Sequence, residues 1–224
     1  MQSASEEAFP NPPATSLMVG LTGGIACGKS HATRAFGELG AYIIDADAIA
    51  HELIHSEGPA YKEIVDCFGP GILDAVQEID RKKLGAIIFH DAGSRRKLNS
   101  ILHPRIIEEE GRRSAEIQSQ CGNCIIIVDA ALMIETGYHT RFDKLVVVHC
   151  KPELQLHRLM SRDGLDFEDA QARIDAQMPI SEKLKLADYI IETSGTYRQT
   201  RFQIVTIHGL LIRDLLAKDS PFAL

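Results

Sequence analysis

The segment from Gly23 to Ser30 constrains this chain more than any other stretch of its sequence. It reads Gly-Gly-Ile-Ala-Cys-Gly-Lys-Ser. Gly23, Gly28, Lys29 and Ser30 therefore fill the fixed positions of the Walker A pattern. Glycines let successive backbone N–H groups point into one concavity, and a following helix adds its positive N-terminal end. The pattern predicts a loop that holds phosphate oxygens, with Lys29 on the β- and γ-phosphates and Ser30 on a magnesium ion.

The residues on both sides of this loop have the order that a phosphate-binding unit requires. Upstream, residues 17–21 form an apolar run typical of a strand buried on both faces of a parallel sheet. Downstream, Gly40 stops a helical pattern whose apolar face consists of Ala32, Ala35, Phe36 and Leu39. We therefore expect strand, loop and helix in that order. The predicted ATP-binding residues are Gly23, Gly24, Ile25, Ala26, Cys27, Gly28, Lys29, Ser30 and His31.

Acidic residues follow two further apolar runs. Residues 41–45 read as a second strand that leads into Asp45-Ala46-Asp47, and residues 124–129 read as a buried strand that ends at Asp129. Ligands of open α/β sheets bind beyond the carboxyl ends of the strands, so we expect Asp45 and Asp47 at the edge that carries the loop. Asp129 resembles a Walker B carboxylate, which orients magnesium directly or through water.

The interval from residue 46 to residue 120 has helical periodicity and no convincing strand, which predicts an inserted helical subdomain. Within it, we expect His103-Pro104 to divide two helices, with Pro104 in the first turn of the second. Residues 144–150 and 188–192 read as two more strands, and residues 197–217 as a closing helix.

Arg158 and Arg162 are spaced to share one face of a helix that Pro152 opens, and Asp166 is placed to cap the next helix. Guanidinium groups suit phosphate, and on a mobile flap the pair would close over the transferring phosphoryl group and exclude water. An exposed helix with i,i+4 charges for solubility would have the same spacing. The spacing alone leaves both interpretations open.

Length and charge limit the alternatives. A chain of 224 residues suits one α/β core with a small insertion. The net charge of −7 disfavours a general nucleic-acid binder. We expect no membrane span, no secretory signal and a cytoplasmic protein. Five cysteines, an odd number, favour reduced thiols, and the pair Cys121 and Cys124 lacks the second pair that a zinc site needs.

A competing pattern occurs at residues 51–55, where His51-Glu52-Leu53-Ile54-His55 matches zinc metallopeptidases. The pattern does not identify a third zinc ligand. Leu53 lies on the face opposite the two histidines, so a solvated or cleft-lining face also explains them. The phosphate loop has matching context over a whole strand, loop and helix, and we favour it for that reason.

With these residues assembled, the chain resembles the dephospho-CoA kinase family from about residue 17 to residue 195. The matching residues include Leu21 through Ile25, Asp45 through Asp47, His51, Asp80, Arg81, His103, Pro104, Leu132, Glu135, Arg158, Arg162, Arg173, Gln177, Met178, Asp188 and Gly195. The resemblance implies a three-layer P-loop α/β core of the adenylate-kinase type with a parallel sheet. It further implies that ATP and Mg²⁺ serve to phosphorylate the ribose 3′-hydroxyl of dephospho-CoA.

The resemblance also implies residue roles and a division of the chain. Asp47 matches the general base, and Lys29, Arg158 and Arg162 complete the expected catalytic set. Thr22, Asp47, Arg81, His103 and Leu132 are the expected substrate-binding residues. We expect a flexible tail over residues 1–16 and a single kinase domain over residues 17–224. Within that domain, a coenzyme A-binding insertion covers about 57–120 and a lid about 153–180.

The sequence departs from the family pattern at the loop and at the last strand. Ala26 and Cys27 replace the usual glycine and serine, Ala131 replaces a proline, and Thr193 replaces an asparagine. Ala26 would then strain a position where glycine takes positive φ more readily. Another small-molecule P-loop kinase is the nearest rival. A nucleotide-dependent switch is the rival from a different class, although the sequence lacks the Asn-Lys-x-Asp of such GTPases.

Overall fold

A computed structural model describes residues 15–219, so most of the expected tail over residues 1–16 lies outside the described residues, as do residues 220–224. The chain forms a five-stranded sheet in the order β2-β3-β1-β4-β5, in which every pairing is parallel. The strands are β1 (Ser16–Gly23), β2 (Tyr42–Asp45), β3 (Cys124–Asp129), β4 (Lys144–His149) and β5 (Tyr189–Glu192). The expected parallel sheet is confirmed, and β1 begins inside the segment expected to be tail.

Within residues 15–219 nine α-helices surround the sheet. They are α1 (Lys29–Glu38), α2 (Ala46–Ile54), α3 (Tyr61–Phe68), α4 (Arg81–His90), α5 (Ala92–Cys121), α6 (Pro152–Asp163), α7 (Phe167–Asp175), α8 (Ile180–Leu186) and α9 (Tyr197–Lys218). In the part of the chain so described, no helix is long and apolar enough to cross a membrane.

The sheet divides the apolar core into two layers. Because side chains alternate along a strand, Ile126 and Val128 of β3 face one side and Ile125 and Ile127 face the other. The first side packs against α2, α3, α4 and α5, and the second side packs against α1 and α9. Burial on both faces explains why β3 is apolar up to Asp129 without alternation.

The interval between β2 and β3 contains helices α2 to α5 and no named strand, as its periodicity predicts. The expected break at His103-Pro104 is wrong, because α5 is a single helix of 30 residues that contains Pro104. Proline removes one backbone hydrogen bond from a helix interior. The Arg105 guanidinium donates to the Ile101 carbonyl at 2.7 Å in the turn that the proline disrupts, and Leu98 and Ile101 anchor that turn in the core.

The cysteines differ from the expectation of five reduced thiols. Cys121 and Cys124 form a disulfide between the end of α5 and the start of β3. A bend at Gly122 and Asn123 separates them and brings their Cα atoms to 6.2 Å, which is a separation that a disulfide can span. Cys27, Cys67 and Cys150 are free thiols.

Candidate active site

The Walker A segment forms a loop between the end of β1 and the start of α1. Gly23 has no room for a side chain, since an added Cβ would lie 2.4 Å from the Val148 carbonyl oxygen of β4. Ala26 has φ +58° and Gly28 has φ +88°. The strain expected at Ala26 is therefore confirmed, because a residue with a Cβ adopts the left-handed region there.

The backbone N–H and C=O of Ile25 are both hydrogen-bonded to glutamine side chains. Its N–H donates to Gln177 Oε1 at 2.8 Å. Its carbonyl accepts from Gln155 Nε2 at 2.9 Å. Gln155 is on α6 and Gln177 follows α7, so the segment expected to be a lid contacts the loop directly at this point.

Lys29 lies between two carboxylates at the carboxyl ends of the strands. Its Nζ contacts Asp129 Oδ1 and lies 4.0 Å from Asp47 Oδ2. Thr33 Oγ1 donates to the second oxygen of Asp129 at 2.5 Å. In the sheet, Asp129 is in register with Leu21 of β1 and Asp45 of β2, which explains how distant segments meet at this edge.

The two acids at the end of β2 have different positions. Asp45 is the N-cap of α2, and its side chain accepts from the Ala48 N–H at 2.9 Å. Asp47 is in the first turn of α2 and points into the cleft with Lys29, its side chain 59% exposed. Desolvation by the cleft walls raises the pKa of Asp47, and the charge of Lys29 opposes that rise.

A cavity of about 570 Å³ is lined by the loop, Asp47, Ala131, Arg158, Arg162 and Gln177. Arg158 donates to Thr193 Oγ1 at 3.0 Å and to the Thr193 carbonyl at 2.9 Å. Arg162 is paired with Asp163 and has a side chain that is 55% exposed. The structure thus brings both arginines to the cleft, and the surface contact of Arg162 is with its neighbour Asp163 rather than an i,i+4 pair.

A second cavity of about 300 Å³ adjoins the loop on the side of β5 and α9. Its lining includes Ala26, Gly28, His31, Arg158, Thr193 and Tyr197. The rings of His31 and Tyr197 are 4.5 Å apart between centroids. Burial lowers the pKa of His31, with a further contribution from Arg201, which favours the neutral ring.

The expected substrate-binding residues lie in different parts of the chain. Thr22 is fully buried at the end of β1, and its hydroxyl donates to the Ala131 carbonyl at 3.1 Å. Leu132 follows β3 and is 49% exposed. Arg81 begins α4 and is exposed, whereas His103 is half-buried in α5. Of the expected substrate-binding residues, Asp47 lines the cavity at the loop, whereas Thr22, Arg81, His103 and Leu132 do not.

A buried ion pair supports the floor of the cleft. Lys183 of α8 is fully buried, and its Nζ lies 2.6 Å from Glu135 Oε1. The same ammonium donates to the Ala131 carbonyl at 3.4 Å. Glu135 Oε1 also accepts from the Met178 N–H at 3.3 Å. This pair therefore ties the segment after β3 to the segment that carries Gln177.

Sequence reasoning missed the roles of several residues. Gln177 and Glu135 belong to the pattern that carries the family resemblance, so that pattern contained a signal for them. Gln155 and Lys183 had no such signal, because their importance depends on which helix packs beneath the loop. Thr193 entered only as a departure from the family pattern. In the structure its hydroxyl donates to the Cys27 carbonyl at 2.7 Å.

The histidines of the competing zinc pattern face solvent. His51 is exposed on α2, and His55 lies beyond the last residue of that helix, at its C-cap. Glu52 pairs with Arg113, and His55 Nδ1 lies 3.3 Å from Glu78 Oε2. The solvated-face interpretation accounts for these side chains.

Comparisons with known proteins agree with this geometry. A family model described as dephospho-CoA kinase matches residues 17–199. The dephospho-CoA kinase of Geobacillus kaustophilus is 44% identical over 192 residues, which cover 85% of this chain and 94% of the relative. The dephospho-CoA kinase of Carboxydothermus hydrogenoformans is 45% identical over 190 residues, with coverages of 85% and 92%.

Solved structures are similar over nearly the same length. The structure of TT1252 from Thermus thermophilus has a TM-score of 0.74 and 25% identity, covering 89% of this chain and 98% of that one. The dephospho-CoA kinase from Campylobacter jejuni has a TM-score of 0.57 and 30% identity, with coverages of 88% and 97%. The chain therefore belongs to the dephospho-CoA kinase family.

Proposed function

We propose that this chain transfers the γ-phosphoryl group of ATP to the ribose 3′-hydroxyl of dephospho-CoA, giving coenzyme A. The observation that carries the proposal is the position of Asp47 Oδ2, 4.0 Å from the ammonium of Lys29, in the cavity lined by the phosphate-binding loop. A cation for the transferring phosphate and a carboxylate for the attacking hydroxyl are thereby brought together.

The loop would bind the triphosphate of ATP. Its backbone and the N-terminus of α1 supply N–H donors and a positive dipole, and Lys29 would leave Asp129 to contact the phosphates. The exposed hydroxyl of Ser30, together with the carboxylate of Asp129, offers hard oxygen donors that suit Mg²⁺. When bound there, Mg²⁺ would neutralise charge on the phosphate oxygens.

Asp47 would act as the general base. A carboxylate that accepts or orients the hydroxyl proton makes the acceptor oxygen a better nucleophile. The raised pKa of Asp47 serves this task because a base works best when its pKa lies near the operating pH. Lys29 lies close enough to keep Asp47 ionised while the hydroxyl binds.

Arg158 and Arg162 would stabilise the charge on the transferring group. Both line the cavity, and Arg158 is already oriented by two hydrogen bonds to Thr193. A fixed guanidinium costs little reorganisation when charge develops in the transition state. The lid over about residues 153–180 would bring Arg162 inward and exclude water from the reaction.

The second cavity would take the adenine of ATP. It lies beside Gly28, and the rings of His31 and Tyr197 provide aromatic surface for a base. Thr193 offers a hydroxyl at this cavity where the family pattern has an asparagine. The hydroxyl is committed to the Cys27 carbonyl, so we infer that adenine is recognised mainly by shape and stacking.

The helical segment over about residues 57–120 would bind the coenzyme A part of the acceptor, with Arg81 and His103 on its helices α4 and α5. Leu132 would line the acceptor side of the cleft, and the buried Thr22 would support that side through its hydrogen bond to the Ala131 carbonyl. The partners are then small molecules rather than nucleic acid, in keeping with the net charge of −7. We infer a cytoplasmic location from these substrates.

A panel of acceptors tests the proposal. The chain is incubated with ATP, Mg²⁺ and either dephospho-CoA, a nucleoside monophosphate or gluconate, and the products are identified by mass spectrometry. We expect coenzyme A from dephospho-CoA, with turnover of the other acceptors lower by about 10²-fold or more. Faster phosphorylation of another acceptor would support the rival small-molecule kinase. Nucleotide-dependent binding of a partner protein without any product would support the switch.

A further inference from the structure

Two buried cysteine sulfurs meet behind the phosphate-binding loop. The thiols of Cys27 and Cys150 are in hydrogen-bond contact, with 3.4 Å between their sulfurs. Cys27 is 1% exposed and Cys150 is 3% exposed. Cys27 belongs to the loop, and Cys150 directly follows β4. A disulfide bond is about 2.05 Å long, so the two sulfurs would have to approach each other by roughly 1.4 Å to form one.

The sulfur of Cys27 supports the loop from beneath. A Cβ added to Gly24 would lie 3.0 Å from Cys27 Sγ, which shows that the sulfur packs directly against that glycine. The Cys27 N–H donates to the Gly24 carbonyl at 3.1 Å, and the Cys27 carbonyl accepts from Thr193 at 2.7 Å. A new bond at this sulfur would therefore act on the backbone of the loop itself.

We propose that Cys27 and Cys150 are an oxidisable thiol pair, and that a hydroperoxide converts them to a disulfide that deforms the loop and weakens its binding of nucleotide. This modification is separate from the Cys121–Cys124 disulfide, which joins α5 to β3. It is also separate from Cys67, which is exposed on α3.

The surroundings favour Cys150 as the thiol that reacts first. The Cys27 thiol can donate a hydrogen bond to the ionised Cys150 sulfur, which lowers the pKa of Cys150 against the effect of burial, and the charge of Arg158 lowers it further. The same hydrogen bond, together with burial, raises the pKa of Cys27. A thiolate is the nucleophilic form of cysteine, so the pair consists of one reactive sulfur and one resolving sulfur.

The reaction balances with one equivalent of hydroperoxide. For hydrogen peroxide, the Cys150 thiolate attacks one oxygen, an S–O bond forms, the O–O bond breaks and hydroxide leaves. The Cys27 sulfur then attacks the Cys150 sulfur, an S–S bond forms, the S–O bond breaks, and the hydroxyl group leaves as water with the Cys27 proton. Two thiols are oxidised to one disulfide, and the peroxide is reduced to two waters.

The disulfide would draw the loop and the end of β4 together. Since β4 pairs with β1 and β5 in the sheet, the loop is the part that yields. Ala26, next to Cys27, is already strained at φ +58°. A shift of Cys27 would therefore distort the loop backbone that binds phosphate. Misplacing binding groups by about 1 Å can cost as much as 10²-fold in activity, so the affinity for ATP should fall.

The test uses the full chain, reduced, freed of reductant and then treated with hydrogen peroxide. Peptides are mapped by mass spectrometry without reduction, and ATP affinity is measured by calorimetry. We expect a linked peptide pair containing Cys27 and Cys150 and a Kd for ATP raised about tenfold or more, reversed by dithiothreitol. Bound ATP should slow the cross-link, because Cys27 lies among the residues that line the cavity.

Two variants serve as matched controls. Cys67→Ser should respond to peroxide as the wild type does, whereas Cys150→Ser should keep its own ATP affinity within about twofold after the same treatment. If Cys150→Ser does not fold, Cys150→Ala replaces it. The proposal is overturned if Cys27 and Cys150 stay reduced while Cys67 is oxidised, or if their disulfide forms without a change in Kd. Neither readout requires dephospho-CoA, so this proposal and the proposed transfer reaction can fail separately.

Discussion

The ammonium of Lys29 contacts Asp129 Oδ1 at the end of β3, and it is also 4.0 Å from Asp47 Oδ2 at the start of α2. The buried carboxylate of Asp129 and the exposed carboxylate of Asp47 thus share the ammonium of Lys29. This relationship links the phosphate-binding loop to the proposed base. It leads to a prediction for the activity of the protein when Lys29 or Asp47 is replaced.

Replacing Lys29 with methionine keeps the length of the side chain and removes the cation. We expect kcat/KM for ATP to fall by about 10²–10³-fold, because the charge is aimed at the transferring phosphate. The pKa of Asp47 should rise further, since the charge of Lys29 contributes the larger part of the lowering. Steady-state kinetics and circular dichroism check the change together. A folded Lys29→Met protein with wild-type kcat/KM would exclude Lys29 from the reaction.

Asp47→Asn should lower kcat by about a hundredfold or more and leave the KM for ATP nearly unchanged. The base must be ionised, so activity falls as the pH drops through its pKa. Because desolvation raises that pKa, the acidic limb of the wild-type profile should lie above the ordinary range of an aspartate. The residual activity of Asp47→Asn should lack this limb. A limb that persists in the variant would mean that another group titrates.

Lys183→Met should destabilise the fold by about 3–5 kcal/mol, because it leaves Glu135 without its buried cation. Lys185→Met is the matched control on the same helix. Lys185 is exposed and pairs with Glu182 at the surface, so its loss should cost less than about 1 kcal/mol. Urea unfolding measures both. The double variant Lys183→Met with Glu135→Leu should recover part of the loss. Equal unfolding midpoints for the two lysine variants would show that the buried ion pair of Lys183 with Glu135 does not stabilise the fold.

Glu110 should make the protein less stable as the pH rises. It is 3% exposed on α5, its Oε1 has no hydrogen-bond partner among residues 15–219, and burial raises its pKa from 4.5 to about 7. Between these values the folded protein binds more protons than the unfolded chain, so the free energy of unfolding falls with increasing pH, by up to about 3 kcal/mol.

Glu110→Gln should flatten this dependence between pH 4.5 and pH 7. Glu108→Gln, at an exposed position on the same helix, should retain it. Urea unfolding at several pH values makes the comparison. A Glu110→Gln protein with the wild-type slope would assign the pH dependence to other groups.

Much of the donor side of the site could be predicted from the sequence. The Walker A pattern places Lys29 and Ser30 at the start of α1, and buried apolar runs identify the strands that end near Asp47 and Asp129. These features depend on the spacing of residues that are close in the sequence, so they can be recognised without a structure. Asp45 shows the limit of that reasoning, because the same acidic cluster supplies a helix cap as well as a cleft carboxylate.

The rest depends on contacts between distant segments. Pro104 normally ends a helix, but Leu98 and Ile101 hold its turn in the core and α5 continues. The sequence around Lys183 is that of a short helix with several charged residues, which predicts an exposed side chain. Lys183 is buried because it pairs with Glu135, which lies in a distant part of the sequence. The contact between Cys27 and Cys150 joins residues 123 positions apart, and no local pattern contains it.

The most direct test of the central claim is where the γ-phosphate of ATP ends up. The chain is supplied with dephospho-CoA, Mg²⁺ and ATP that carries an isotopic label in its γ-phosphate, and the product is analysed by phosphorus NMR and mass spectrometry. We expect coenzyme A with the label on the ribose 3′-oxygen, and formation of that product about a hundredfold slower in Asp47→Asn. Label found only in inorganic phosphate, or on any other oxygen of the acceptor, would contradict it.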